Sequence, residues 1–221
     1  MTVLFADVAN YTSMSEKLDP EEVHQIVDGC FRILFDEIRK YEGTINKFTG
    51  DGAMALFGAP IAHEDHAHRA CYAALAIQKG MEEDGEKIRK QYGLDFKMRI
   101  GLNSGSVLMG SVGNDLQMEY TAMGDTTNLA SRMQMNARPG TVLISGNTQK
   151  LARNFFEFQS LEKIPVKGKE ELQDAFELLR TSEVKSRIEA SVAKGLTPFV
   201  GRKNSGRAQF SINLFQPSNI I

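Results

Sequence analysis

Hydrophobic and polar positions follow two rhythms along this chain. Residues 2–8, TVLFADV, form a short apolar run closed by the turn-prone Ala9-Asn10, which predicts a buried strand. Beyond Pro20, residues Val23, Ile26, Val27, Cys30, Ile33, Leu34 and Ile38 recur at three- and four-residue spacing, with acids in the first turn and Gly43 just past the end. That pattern predicts an amphipathic helix. Two β-type runs, TINKF and AMALF, flank Gly50-Asp51-Gly52 and predict a hairpin whose nearly all-apolar second arm lies centrally in a sheet. A long helix is predicted from Glu64 to Tyr92, with Ala70, Ala73, Ala74, Ile77 and Met81 on its apolar face and Gly93 ending it.

Further along, FKMRIGLNSG and SVLMGSVG read as strands about Ser104-Gly105, and QMEYTAM as another. Asp125 is placed to cap a helix through TTNLASRMQM. TVLIS is then a strand, NTQKLARN a short helix, and NFFEFQSLEKIPV and ELQDAFELL strand-like runs about a Lys-Gly-Lys turn. Strand, helix, strand, strand, helix, strand is the α+β order of a ferredoxin-like βαββαβ core, with its helices on one face and additional C-terminal strands. The folded domain is expected over residues 1–180, a linker over 181–200, and a disordered tail or the start of a truncated further module over 201–221.

Composition narrows the functional classes. Twenty-six Lys and Arg against 28 Asp and Glu leave a net charge of −2, which excludes a general grip on nucleic acid through a strongly basic surface. With 42% hydrophobic and 24% charged residues the chain can bury a core. Its two cysteines, Cys30 and Cys71, fall in helical apolar patterns and read as small buried hydrophobes of a reducing compartment. No run is long enough to cross a bilayer and no secretory signal opens the chain, so a cytoplasmic location is expected. Starting directly on a core strand, the sequence looks like an excised fragment.

Asp7 ends the first strand and Asp51 occupies the hairpin turn, so neighbouring strands would bring the two carboxylates to one sheet edge. Two carboxylates and little else suit a hard cation such as Mg2+ or Mn2+. An Asp between two glycines is also an ordinary turn residue. The loop from Ala9 to Thr12 leads towards a short helical stretch, MSEKL, whose start either cradles phosphate or is simply capped by Thr12 or Ser13. Asn128 and Arg132, four apart, share one helix face that is either solvated or turned to a ligand. His63, His66 and His68 do not share a face and read as solvated side chains.

FADVANYT, NKFTGDGAMALFG and EYTAMGDTTNLASRM resemble, in order and spacing, three signature segments of the class III nucleotidyl cyclase catalytic domain. The resemblance makes Asp7 and Asp51, with the backbone of Val8, the ligands of two Mg2+ or Mn2+ ions per active site. Lys47 and Thr121 match its purine-recognition pair, Asn128 its ribose-orienting asparagine and Arg132 its transition-state arginine. Lys167, in PVKGKEEL, resembles the lysine that meets the terminal phosphates. Thr121 stands where many members carry Asp, as in the subgroup that includes bicarbonate-responsive cyclases, and this makes bicarbonate a candidate effector. LTPFVGR, residues 196–202, resembles the junction that precedes an ATPase module in some multidomain members.

The implied reaction is attack of the ribose 3′-hydroxyl of ATP on the α-phosphorus, giving cyclic AMP and pyrophosphate. Lys47 can only donate and the Thr121 hydroxyl can accept, which fits N1 and N6 of adenine and opposes guanine. Lys47 and Asp51 lie too close in sequence for one to reach the base and the other the phosphates, and the family resolves this by sharing each site between two domains. One chain carrying both halves implies a homodimer. Two rivals remain: a silent nucleotide-binding regulatory domain, which would usually have lost a metal aspartate or the arginine, and a guanylyl cyclase.

Overall fold

The computed structural model describes residues 1–9, 11–48, 50–112, 119–165 and 172–182. Expectations for the linker and tail beyond residue 182 lie outside these, as does the Lys-Gly-Lys turn. Strand β1 (Thr2–Val8) is followed by helices α1 (Tyr11–Ser15) and α2 (Pro20–Lys40), then by the β2 (Thr44–Phe48) and β3 (Gly52–Phe57) hairpin. Helix α3 (His66–Tyr92) leads to β4 (Met98–Ser104), β5 (Leu108–Val112), β6 (Glu119–Met123) and helix α4 (Asp125–Asn136). The chain continues through β7 (Val142–Ser145), α5 (Gly146–Ala152), β8 (Phe156–Ser160) and β9 (Ala175–Thr181). Among the described residues no helix is long and apolar enough to cross a membrane.

Seven strands form one sheet in the order β2-β3-β1-β4-β7-β9-β8. Its first four strands have the ferredoxin-like order, with β1 antiparallel to both β3 and β4. Alternation along β1 decides which side each residue serves. Leu4, Ala6 and Val8 pack under α2 and α3 with Ile26, Leu34, Cys71 and Ile77, all buried. Val3 points the other way and meets Met54, Leu56 and Ala130. Both cysteines are free and buried.

Two expectations need correction. The helices do not all lie on one face: α4 covers the opposite side, where Leu129 and Met133 pack on Leu143 and Ala175. It can lie flat there because Gly101 on β4 has no side chain; a Cβ at that position would stand 2.5 Å from the Ala130 carbonyl oxygen. Asp125 is the first residue of α4 rather than its cap; Gly124 takes the N-cap position with φ 126°, a conformation that a side chain would strain. The strand β5, expected after the Ser104-Gly105 turn, is present and pairs with β6 in a separate two-stranded sheet.

The histidines also differ from expectation, being drawn into the fold instead of solvated. His63 pairs with Glu42 at 3.4 Å, and the His68 ring packs edge-on against Phe155. His66 Nδ1 meets the buried Thr2 hydroxyl at 2.8 Å. Burial first, then the nearby amino terminus and His68, pull the His66 imidazole from its ordinary 6.5 down to about 4. Between those values the unfolded chain holds the extra proton and the folded chain does not, so this contribution is full above pH 6.5 and fades as pH falls towards 4. Urea unfolding at pH 7 and pH 5 should show wild type losing more stability than His66→Gln; equal losses would refute the assignment.

Candidate active site

From Thr2 a chain of buried hydroxyls crosses the sheet towards α4. The Thr2 hydroxyl meets that of Ser104 at 2.7 Å, and Ser104 meets Thr148 at 3.0 Å. Ser145 donates to Asn103 Oδ1 at 2.6 Å, and Asn103 Nδ2 donates to the Thr126 carbonyl at 2.9 Å. Each of these buried polar groups thus finds a partner, and the first turn of α4 is pinned to β4. Thr126 adds a bond from its own hydroxyl to the Ser106 carbonyl at 2.6 Å.

Pinning that turn fixes what the helix displays. Leu129, Ala130, Met133, Gln134 and Ala137 are buried, whereas Asn128 and Met135 are exposed and Arg132 is half-buried. Asn128 and Arg132 therefore share the outward side, as their spacing predicts. The Arg132 carbonyl is held by Asn136 Nδ2 at 2.8 Å, and among the described residues its guanidinium meets the Met135 sulfur, at 3.7 Å.

The two aspartates meet on the sheet side of α4. Asp7 faces Gly52 across β3 and Arg99 across β4. The Val8 amide donates to the Asp51 carbonyl at 3.1 Å, which ties the end of β1 to the hairpin turn. Burial first, then the neighbouring Asp51 carboxyl, push Asp7 up to about 6, while Arg99 and a Gln134 hydrogen bond pull the other way. The neighbouring carboxyl makes ionising Asp7 costly, and a cation bound beside it would offset that cost. No cluster of three or more His, Cys, Asp or Glu forms among the described residues. An all-oxygen pair is the donor set of an ion that keeps waters and binds phosphate, so the residues fit Mg2+ or Mn2+ and not a closed zinc site.

Lys47 is exposed on β2, an edge strand whose register with β3 shifts between Ile45 and Lys47. It stands two strands from Asp7. The backbone of Thr121 lies on β6 opposite Gly110, and its side chain is outside the description. Lys167 lies outside the described residues, as does Asn10 of the loop after Asp7. The short helix α1 begins at Tyr11, earlier than MSEKL. Two residues at the site went unread in the sequence. Arg99 acts on Asp7 from the adjacent strand, and its Nε is buried with no hydrogen-bond partner among the described residues. Gln134 donates to Asp7 Oδ2 at 3.3 Å. Their signals were a cation inside the apolar strand MRIGL and an amide inside the buried stripe of α4.

An α+β domain of this strand order, with one aspartate near the end of β1, a second in the β2–β3 turn beside it and an Asn-Arg helix close by, defines the class III nucleotidyl cyclase type. Residues 1–178 match the family described as the adenylate and guanylate cyclase catalytic domain, and the chain belongs to that family. It is 34% identical over 195 residues to adenylate cyclase 1 of Rhizobium meliloti (strain 1021), a match that covers 87% of this chain and 29% of that protein. The chain thus spans under a third of that relative. The crystal structure of the adenylyl cyclase CyaB from P. aeruginosa superposes with a TM-score of 0.78 at 30% identity, covering 82% of this chain and 94% of that one. That of the guanylyl cyclase Cya2 also gives 0.78, at 29% identity, covering 84% and 94%.

Proposed function

We propose that this domain is an adenylyl cyclase, converting ATP to 3′,5′-cyclic AMP and pyrophosphate at two equivalent sites shared across a homodimer. The observation that supports this most is the division of labour at α4: its sheet side meets the aspartates and its outward side carries Asn128 and Arg132. Arg132 of one chain serves the aspartates of the other.

Asp7, Asp51 and the Val8 backbone hold the divalent cations. Bound there, Mg2+ or Mn2+ lowers the pKa of the 3′-hydroxyl and offsets charge on the phosphates. Lys47 donates to adenine N1, the Thr121 hydroxyl accepts from N6, and Asn128 orients the ribose. Arg132 neutralises charge that builds on the α-phosphoryl group in the transition state. Lys167 meets the terminal phosphates, and the unspent Arg99 donor adds a cation beside Asp7. Bicarbonate as an effector rests on Thr121 alone.

The likeness to a solved guanylyl cyclase makes both nucleotides the right substrates to test. Purified protein at high concentration with Mn2+ should form cyclic AMP from ATP, and cyclic GMP from GTP about tenfold more slowly or less, since a mismatched hydrogen-bonding edge leaves polar groups unpaired. Faster cyclic GMP formation would assign the chain to guanylyl cyclases. No product from either would make it a silent binding domain.

A further inference from the structure

We propose that Gln134 is a positioning residue of the metal half of the site, its carboxamide orienting the Asp7 carboxylate for a divalent cation. The inference rests on the reading of Asp7 and Asp51 as cation ligands. Gln134 is only 7% exposed, an amide among the buried side chains of α4, and its Nε2 reaches Asp7 Oδ2 at 3.3 Å. Apolar packing alone would not place it there, because Leu129, Ala130, Met133 and Ala137 already supply the buried stripe.

Its position is set by the backbone and not by chance of rotamer. Where α4 crosses Gly101, a Cβ on that glycine would lie 2.6 Å from Gln134 Cα, so the helix backbone runs directly against the sheet at this residue. Phe5, two residues before Asp7, is the register partner of Gly101 on β1. A neutral donor suits this place. It occupies one lone pair of Oδ2 and leaves the remaining pairs of the carboxylate for a cation. A lysine or arginine would compete with that cation, and an apolar side chain would leave the carboxylate free to turn.

Gln134 follows Arg132 by two positions, a step of about 200° around the helix. Neighbouring residues of α4 are thereby committed to different active sites of the dimer, Gln134 to its own chain's aspartates and Arg132 to the partner's. This assignment can be tested without relying on turnover alone. Mn2+ titrated by electron paramagnetic resonance, with a non-reactive ATP analogue present, should bind Gln134→Met about 10- to 100-fold more weakly than wild type, the usual effect of losing a partner that orients a ligand.

A second readout assigns the half. Gln134→Met mixed with Arg132→Ala should recover activity, because one heterodimer site then combines an intact metal half with an intact arginine. Mixed with Asp51→Ala at limiting Mn2+ it should recover none. Unchanged Mn2+ affinity in a variant that is merely less stable, or recovery with the Asp51→Ala chain, would overturn the proposal. If Asp51→Ala and Arg132→Ala fail to complement each other, the shared-site reading fails, while the Mn2+ titration still judges Gln134. Gln134→Ser, too short to reach Asp7, gives the same readouts should the methionine variant not fold.

Discussion

Mixed in equal amounts, an Asp51→Ala chain and an Arg132→Ala chain are expected to recover about a quarter of the wild-type rate, although each alone is nearly inactive. Alone, the first forms dimers in which neither site can hold its cations, and the second forms dimers in which neither site has its arginine. Arginines that stabilise a transferring phosphoryl group contribute about a thousandfold or more in rate, equivalent to about 4 kcal/mol of barrier. Random exchange makes about half the dimers mixed, and each mixed dimer has one site with both defects and one with neither. A mixture that stays inactive, with exchange verified by differently tagged chains, would mean that each chain builds its site alone.

Gly101→Ala should be the most damaging single methyl group that can be added near the site. The new Cβ would meet backbone, the Ala130 carbonyl oxygen at 2.5 Å and Gln134 Cα at 2.6 Å, and no side chain can swing aside. The helix must lift off the sheet or the strand must bend. Overpacking of this kind costs about 3 kcal/mol. For a domain of this size that corresponds to a fall of roughly 6–12 °C in Tm. Lifting α4 also withdraws Gln134 from Asp7, so weaker Mn2+ binding should accompany the lower Tm. A variant that melts like wild type would show that the helix yields at no cost.

Periodicity carried most of the fold. The apolar stripe from Val23 to Ile38, the apolar run TVLFADV and the left-handed Gly93 each encode a local choice that the tertiary structure keeps. What periodicity cannot encode is the side of a sheet on which a helix lies: Leu129, Ala130, Met133 and Ala137 specify a buried stripe but not its partner. That information resides in Gly101, which is distant in sequence and legible only as an isolated strand glycine. The same limit explains the histidines. His66 and Thr2 meet only because β1 and the start of α3 converge, and a spacing argument confined to one helix could not place a partner 64 residues away.

The site was legible where chemistry is concentrated in short motifs. Asp7 and Asp51 were expected together from their strand and turn, and the end of β1 is tied to the Asp51 backbone, with the Asp51 carboxyl acting on Asp7. Asn128 and Arg132 share the outward side of α4 as their spacing requires. Arg99 and Gln134 escaped notice because each looks ordinary in its own element. Only the register Asp7 to Arg99, and the crossing of α4 over β4, give them a shared neighbour.

The two buried cysteines have a practical consequence. Cys30 bonds to the Ile26 carbonyl inside α2, and burial pushes its thiol up to about 12. Burial raises that of Cys71 as well. Neither forms appreciable thiolate at neutral pH, so neither competes for a maleimide or a spin label. A cysteine introduced at Leu108, 77% exposed on the β5–β6 hairpin, would be the one readily reactive thiol of the chain. A single attached fluorophore there could follow the meeting of two copies in real time without first stripping the native sequence of its sulfur.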